Sequence, residues 1–461
     1  MDVFMKPGLA RRRHLARVSR WLFVGALLSG LPLSALAQDR VPDAIPAEAA
    51  RVVHLADVER AARGHQPQMA VARAAVAAAQ SRVGAANASY LPQVTGTVQY
   101  QRTTGNFAPR PGTVVPAHAV TSLSPSYDLF NYGVSASQLV YDFGQTSNRI
   151  GAAKAAREAQ EAVEKSTDVQ VVFAVRRAYF QALAQKALVG VAQETLDNQH
   201  KHLAQIEGFV RAGVRPEIDL VQAHTSISNA EVALITARNG YDGGKVLLNQ
   251  AAGVVGATDF DVVDEDPPAV EDEDQPLQTL LGKALASRPD LAVYDRQQQQ
   301  QEQTIGSIRG ALWPTVSVTA GATEVGTSLG GTVPNWNIGA LLGWPIFQGG
   351  LTQAQVAEAE ANLQGIHGQR ALAVLQIQSD VEQARLAVVA TKATMGSAQA
   401  AVGSAREQLR LAEARYAAGL GGILELSDAQ LAYSGAAVQL IQARYNRATA
   451  RAQLLAALGR P

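Results

Sequence analysis

Two stretches contain residue types that can act as a catalytic nucleophile or as metal ligands, but the spacing of these residues argues against both roles. Residues 326–330, GTSLG, match the G-x-S-x-G pattern of serine hydrolases, in which the serine stands on a sharp turn between a strand and a helix. Here the stretch separates two strand-like segments, which predicts a hairpin loop. His200 and His202 are two positions apart on a helical run and point to different sides, which disfavours a shared metal ion. We therefore expect no catalytic group, metal or cofactor.

A third stretch, DFDVVDEDPPAVEDEDQP (259–276), holds nine acidic residues and no basic one. Calcium is one candidate ligand for so many carboxylates, but the stretch lacks the ordered spacing and the glycine of a calcium loop. A solvated linker is the favoured interpretation.

The remaining candidates stand beside glycines that interrupt helical runs. LAQIEGFVRAGVRPEIDLVQAH (203–224) and RYAAGLGGILELSDAQLAY (415–433) follow one plan, with Gly213 in the first matching Gly419 in the second. Glycine tolerates the left-handed conformation in which many helices end, so each stretch predicts a tight turn between two helices. Further landmarks recur along both halves of the chain, which indicates an internal duplication.

Three carboxylates follow these turns. Asp219 and Glu425 occupy matching positions at the start of each returning helix, and Asp428 lies one turn beyond Glu425. Acidic residues near a helix N-terminus interact favourably with the helix dipole, by about 0.3–1 kcal/mol. Helix capping is therefore one interpretation of these carboxylates.

The helices that carry these turns are long. Two runs without proline, 145–212 and 353–418, are rich in strong helix formers, and each predicts a helix of roughly 100 Å. Two shorter helical runs flank each long one, so two short helices stacked end to end would lie antiparallel to one long helix and cover its apolar seam. These shorter runs are 55–88 and 217–252 in the first copy, and 277–310 and 423–458 in the second.

Strand-like segments precede each long helix, at about 94–102 and 132–141 and again at about 316–323 and 337–346. Side chains alternate in character along them, and their lengths are close to the ~9–11 residues of a membrane-crossing strand. Tryptophan and tyrosine flank them, as an outer-membrane interface selects. Four strands cannot span a bilayer alone because their edges would leave backbone groups unpaired, so several chains must share one barrel.

The chain ends and linkers complete the organisation. Residues 1–37 have the basic, apolar and A-x-A parts of a signal peptide, and 38–52 form an N-terminal linker. The first repeat covers 53–253, the acidic linker 254–276 and the second repeat 277–461. Residues 103–126, rich in Pro, Gly, Ser and Thr, are expected to form a loop at the cell surface.

Composition excludes several classes of protein. Without the signal peptide the chain keeps 34 of its 40 basic and 39 of its 40 acidic residues, which disfavours nucleic-acid binding. It has no cysteine, so neither disulfides nor a lipidated cysteine can contribute.

This duplicated unit of short helix, strand pair, long helix, glycine turn and short helix resembles the TolC-like outer-membrane efflux and secretion proteins. The specific residues are RAGVRPEIDLVQA (211–223) and YAAGLGGILELSDAQ (416–430) in the turns, with SYLP/ALWP and YDFG/FQGG before the strands and helices. The resemblance implies a mainly α fold with a β-barrel contribution. Three chains would form a homotrimer with a 12-stranded barrel in the outer membrane of a Gram-negative bacterium and a helical tunnel in the periplasm.

The resemblance also implies roles for the turns. The tips, Gly213 with Val214 and Gly419 with Leu420, are expected to dock a periplasmic adaptor protein that links the channel to an inner-membrane transporter. Asp219, Glu425 and Asp428 fall where the family places its acidic constriction. Gly421 stands where a relative has a basic residue that ties the closed gate, and Arg215 is a candidate replacement.

The expected function is therefore a passive outer-membrane exit duct of a tripartite efflux pump or type I secretion system, and not an enzyme. A non-conducting structural or adhesive coiled-coil protein is the alternative. Alternating strands with aromatic ends favour the duct, because a helical stalk needs no barrel.

Overall fold

The computed structural model describes residues 51–104, 126–265, 270–271 and 273–461. The predicted signal peptide lies outside these residues, as do nearly all of the N-terminal linker and most of the predicted surface loop. Within the described residues, no helix combines the length and the apolar character needed to cross a membrane.

The described part is mostly helical and contains two long helices of 67 residues each. In chain order the elements are β1 (Arg51–Val53), α1 (Leu55–His65), α2 (Pro67–Asn87), β2 (Gln93–Thr104), β3 (Ser126–Tyr141), α3 (Gln145–Arg211), α4 (Glu217–Ala252), β4 (Phe260–Val262), α5 (Leu277–Ser287), α6 (Pro289–Gly310), β5 (Thr315–Gly326), β6 (Thr332–Gly343), α7 (Leu351–Ala417) and α8 (Ile423–Ala457).

The two long helices, α3 and α7, agree with the runs read from the sequence to within two residues at each end. Each begins directly after a glycine in the left-handed conformation, Gly144 at φ 88° and Gly350 at φ 82°. At 1.5 Å per residue each helix is about 100 Å long. The absence of proline from both runs allows the backbone ladder to continue unbroken.

The shorter runs 55–88 and 277–310 were expected to be single helices, and this expectation is wrong. Each is divided in two, at Gln66 and at Arg288, whose ψ angles of 121° and 120° are extended. In both places a proline follows and opens the next helix. Proline disfavours the helical conformation of the residue before it, while its own fixed φ suits the first turn of a helix.

The helices pack side by side in two rows that share α3 and α7. Towards the glycine turns the order is α4, α3, α8, α7, and towards the sheet it is α2, α3, α6, α7. The residue after α4, Gly253, packs so closely on Gln66 that an added Cβ would lie 2.6 Å from the Gln66 Cα. Consequently α4 and α2 stack end to end as one column. This column forms one edge of the described helical rows, and α7 forms the other.

The four long strands form one antiparallel sheet in the order β2, β3, β5, β6. Pairing of β3 with β5 joins the first hairpin to the second. Within the described residues, β2 and β6 each have a strand neighbour on one side only. In both the helical rows and the sheet, the elements of the first repeat therefore lie on one side and those of the second repeat on the other.

The bounds of β3 and β6 differ most from those read from the sequence. β3 begins at Ser126, six residues before the predicted start, because it pairs with β2 up to Thr104. β6 spans Thr332–Gly343 and not 337–346, because its pairing with β5 runs from Gly326 opposite Thr332 to Thr315 opposite Gly343. The length of a strand in a sheet depends on how far its partner strand extends, and the alternation of side chains along one strand carries no information about the partner.

Apolar side chains form three cores, two of which lie at about the same level because their residues interleave along α8 between Tyr445 and Ala457. One surrounds Tyr179 and Leu183 of α3, and a second surrounds Ile377 of α7 and Leu454 of α8. The third joins the two glycine turns through Ile206 and its neighbours. The third core is what positions the candidate site.

Candidate functional site at the two helix tips

The first tip comprises Ala212–Pro216, and the second comprises Ala418–Gly422; each connects a long helix to the helix that returns from it. Gly213 and Gly419 adopt left-handed φ angles of 72° and 75°. In the first tip the Gly213 amide donates to the Val210 carbonyl (2.9 Å), and the Val214 amide donates to the Phe209 carbonyl (2.9 Å). The second tip has the same bonds at Gly419 and Leu420. This is the Schellman arrangement, which satisfies the last carbonyls of the long helix.

Arg215 fastens the first tip to the second. Its Nη2 donates to the carbonyl oxygens of Tyr416 and Gly421, each at 2.9 Å. Its guanidinium group also lies 4.4 Å from the centroid of the Tyr416 ring, a cation–π contact. One side chain thus holds the end of α7 and the turn that follows it.

Asp219 adds a second connection. Its carboxylate accepts a hydrogen bond of 3.0 Å from the hydroxyl of Tyr416, and the two residues are only 5% and 4% exposed. Burial, and then the bond to Asp219, raise the pKa of Tyr416 to about 12. Asp219 therefore faces the other tip of the same chain in this conformation.

Sequence reasoning did not identify Tyr416. Its matching position in the first copy is Val210, so one copy carries a hydroxyl where the other carries an aliphatic side chain. That difference between the copies is the signal that could have found it. A comparison of the two copies that looks only for identical residues would not identify Tyr416.

Glu425 and Asp428 are exposed on the first turns of α8. Glu425 forms an ion pair of 3.1 Å with Arg415 at the end of α7. A Cβ at Gly421 would lie 3.1 Å from the Glu425 carboxylate and 3.3 Å from the Tyr416 amide nitrogen. A larger residue at Gly421 would therefore crowd this corner, where Arg415 pairs with Glu425 and Arg215 donates to the Gly421 carbonyl.

The outermost side chains of the tips are apolar. Val214 of the first tip and Leu420 of the second are exposed, as are Ile218 and Leu424 on the first turns of the returning helices. The two tips therefore present exposed apolar side chains next to each other.

The acidic segment between the repeats is fastened to the helices. Glu273 is buried and receives hydrogen bonds from Arg447 at 3.1 Å and Arg451 at 2.8 Å. Burial would raise the pKa of Glu273, but these two arginines more than offset it and hold the pKa below its usual value. The interpretation as a solvated linker is therefore wrong for Glu273.

Other acidic side chains of the segment are also partnered. Asp261 receives hydrogen bonds from Lys186 (2.7 Å) and Tyr241 (2.7 Å), which outweigh the effect of burial and lower its pKa. Asp274 pairs with Lys392 at 2.9 Å. The bonds reach α3, α4, α7 and α8, so the segment joins both repeats.

The two motifs set aside at the outset lie in the turn after β5 and on α3. Residues 326–330 comprise the last residue of β5 and most of the turn that connects it to β6, as the hairpin interpretation required. His202 lies 3.4 Å from Glu413 of α7, whereas His200 is exposed.

A known protein family matches both repeats of this architecture. A model of the family described as "Outer membrane efflux protein" matches residues 59–254 and 280–460, one span in each repeat. The chain belongs to the outer membrane efflux protein family. This membership confirms the predicted efflux class and its place in the outer membrane.

Two relatives illustrate the range of similarity within the family. The chain is 26% identical to the solvent efflux pump outer membrane protein SrpC of Pseudomonas putida, over 65% of this chain and 64% of SrpC. It is 24% identical to the outer membrane efflux protein BepC of Brucella suis, over 84% of this chain and 81% of BepC. The chain thus spans slightly less than two thirds of SrpC and most of BepC.

Solved structures show the same fold. CusC superimposes with a TM-score of 0.75 at 21% identity, covering 88% of this chain and 92% of CusC. The outer membrane protein VceC of Vibrio cholerae superimposes with a TM-score of 0.72 at 18% identity, covering 88% and 96%.

Proposed function

We propose that this family member is the exit duct of a tripartite export system, through which substrates pass passively from an inner-membrane transporter. One observation carries the proposal: the described four-stranded sheet has two open lateral edges and continues into two helices of about 100 Å. Such a sheet can lie in a bilayer only if another chain pairs with each edge. The helices are long enough to extend far beyond the ~30 Å hydrocarbon core.

A homotrimer completes the duct. Three copies of the sheet, joined β6 to β2, close a barrel of twelve strands and remove every open edge. Pairing of β6 with β2 is a head-to-tail contact, which closes into a ring when the rotation between copies fits. The helices then enclose a tunnel on the periplasmic side.

The tips form the entrance and the adaptor-docking end. Val214 and Leu420, presented by the turns at Gly213 and Gly419, supply the apolar contact. Glu425 and Asp428 are exposed and supply negative charge at the mouth, where a narrow throat focuses their field. Asp219 contributes there only after its bond to Tyr416 is released.

The assembly is tested by the mass of the protein extracted in mild detergent and left unboiled. We expect a trimer recovered from the outer-membrane fraction. A monomer in detergent, or recovery in the soluble fraction, would refute the proposal.

The docking role is tested by Gly213→Val combined with Gly419→Val. Open space surrounds both positions, so the cost is backbone strain of about 1–3 kcal/mol per site. Export should be lost while trimer and location are kept. Gly208→Val is the matched control, since it also lies in open space but without a left-handed φ. Undiminished export in the double variant would show that docking does not need these turns.

A further inference from the structure

A groove of about 290 Å³ lies where the end of α8 meets the start of α6, between α3 and α7. Helix α3 contributes Gln170 and Phe173, α7 contributes Gln383, and the joint between α5 and α6 contributes Arg288 and Asp290. The volume is close to the lower end of the range for small-molecule sites, about 300–1,000 Å³. The groove therefore has room for a small organic molecule.

The charged side chains of the groove favour a cation. Arg288 donates from Nη2 to Asp290 at 2.8 Å and from Nη1 to Asp380 at 3.0 Å, and its Nε donates to Asp290 at 3.1 Å. Asp380 also lines the groove. Two carboxylates thus surround one guanidinium group, and the three side chains carry one excess negative charge. An anion would have to compete with these carboxylates for Arg288, whereas a cation is attracted by the excess charge.

The apolar part of the lining is aromatic. Phe173 of α3 is half-buried and lines the same groove as the carboxylates. The face of an aromatic ring attracts organic cations, and this attraction adds to that of a nearby carboxylate. A ligand that combines a positive charge with an apolar group therefore matches both parts of the lining.

The first repeat forms the same joint without these charges. Gly253 packs on Gln66 as Gly459 packs on Arg288, where an added Cβ would lie 2.8 Å from the Arg288 Cα. The positions that match the three charged residues are uncharged: Gln66, Gln68 and Ala174. Gln66 only donates to the Ala251 carbonyl, at 3.3 Å. The joint itself therefore does not require the charged set of the second repeat.

The groove opens on one face of the helical rows, and α1 and the acidic segment cover the other. Asp168 of α3 pairs with α1 at 2.8 Å, and Arg447 of α8 pairs with the acidic segment at 3.1 Å. At about 100° per residue, Gln170 lies about 160° around α3 from Asp168. Ala456, which lines the groove, lies about 180° around α8 from Arg447. Both helices thus place the groove opposite the covered face.

We propose that this groove is a site in the wall of the duct for organic cations that carry an aromatic or other apolar group. A duct needs a clear lumen, so the face covered by α1 and the acidic segment lies outside and the groove faces the passing substrate. Helix α8 has 35 residues, which places the groove about 50 Å from the tips. The inference rests on the proposed exit duct and adds a class of substrate.

Calorimetric titration of the detergent-solubilised oligomer with benzyltrimethylammonium chloride tests the site. We expect one binding site per chain, with an affinity that falls as salt rises, because ions screen the excess negative charge. Phenylacetate carries the same ring on an anion and should not bind at the same concentrations. Equal binding of both compounds would overturn the proposed preference for cations.

A charge placed at the mouth of the groove locates the binding. Gln383 is exposed, and Gln383→Lys should weaken binding of benzyltrimethylammonium by roughly 5- to 30-fold. Coulomb's law gives this range for like charges about 8 Å apart at an effective dielectric constant of about 20–40. The control, Ala401→Lys, adds the same charge at an exposed position on the same side of α7, but about 27 Å away, and should bind as the wild type does.

A second variant tests the aromatic part. Phe173→Leu keeps an apolar side chain against the core that Phe173 contacts and removes the ring. Loss of a cation–π contact should weaken binding of benzyltrimethylammonium by roughly 3- to 30-fold. An unchanged melting temperature of the variant would show that the fold is kept.

The outcomes separate this inference from the proposed function. A conducting trimer that does not bind benzyltrimethylammonium, or whose affinity is the same in the wild type, Gln383→Lys and Phe173→Leu, overturns the cation site and leaves the exit duct standing. A monomer in detergent overturns the duct and, with it, the position of the groove in a lumen.

Discussion

Tyr416→Phe isolates the contribution of one hydroxyl to the closure of the tips. The ring and its contact with Arg215 remain, and only the hydrogen bond to Asp219 is lost, which leaves a buried carboxylate without that donor. A hydrogen bond to a charged group contributes about 1.5–3 kcal/mol. Because both residues are buried, little of this is screened by solvent. The equilibrium for separating the tips should therefore rise roughly 10- to 150-fold in each chain.

Hydrogen exchange of the backbone amides measures this separation without relying on transport. Amides in 212–222 and 416–426 should lose protection by roughly that factor, while those around Tyr179 should be unchanged. Tyr294→Phe, in α6 and away from the tips, is the control and should leave both tip segments as in the wild type. Recordings in planar bilayers should show a higher open probability for Tyr416→Phe.

The pKa of Tyr416 sets the pH window of this contact. Because the folded pKa is raised from 10.0 to about 12, the neutral hydroxyl stabilises the folded tips. The contribution is complete below about pH 10 and is lost as the pH rises through about 12. The difference in open probability between wild type and Tyr416→Phe should accordingly shrink between pH 10 and 12. If tip exchange in Tyr416→Phe equals that of the wild type at neutral pH, the bond does not hold the tips together.

Two further predictions concern carboxylates. Glu273→Gln should lower the free energy of unfolding by about 3–5 kcal/mol because two arginines lose a buried counter-ion. The control, Glu271→Gln, replaces an exposed carboxylate nearby and should leave the thermal melting temperature unchanged. A melting temperature of Glu273→Gln equal to that of the wild type would contradict this prediction. Since the pKa of Glu273 is lowered in the folded protein, its contribution should be fully present above its unfolded pKa and lost as the pH falls through the lowered folded pKa. Glu425→Gln with Asp428→Asn should weaken plugging by hexamminecobalt from the periplasmic side in planar bilayers, and plugging of the wild type should weaken as salt rises; equal plugging of both forms would place the constriction elsewhere.

Features that depend on neighbouring residues in the chain could be predicted from the sequence. The two long helices follow from runs without proline, and the turns at Gly213 and Gly419 follow from glycine between helix formers. The breaks at Gln66 and Arg288 were also within reach, because a proline directly follows each of them in the sequence. They were missed because the apolar spacing continues across both breaks.

Features that depend on distant residues could not be predicted in this way. Asp219 and Tyr416 are 197 positions apart, and no local pattern connects them. The acidic composition of 259–276 indicated exposure, yet Glu273 is buried because Arg447 and Arg451 lie on one face of α8 and supply the opposite charge. Composition reports charge but not the position of the opposite charge.

The sequence by itself determined the duplication, the element types, the tips and the family, because each is a property of residue order. Only the tertiary structure decided which side chains cross between the repeats: the grip of Arg215 on the second tip, the bond from Tyr416 to Asp219, and the attachment of the acidic segment. It also decided the lateral order that leaves α4 and α7 at opposite edges. The reason is physical: helix and turn formation are governed by interactions within a few residues, whereas these contacts exist only after packing has brought distant segments to the same level.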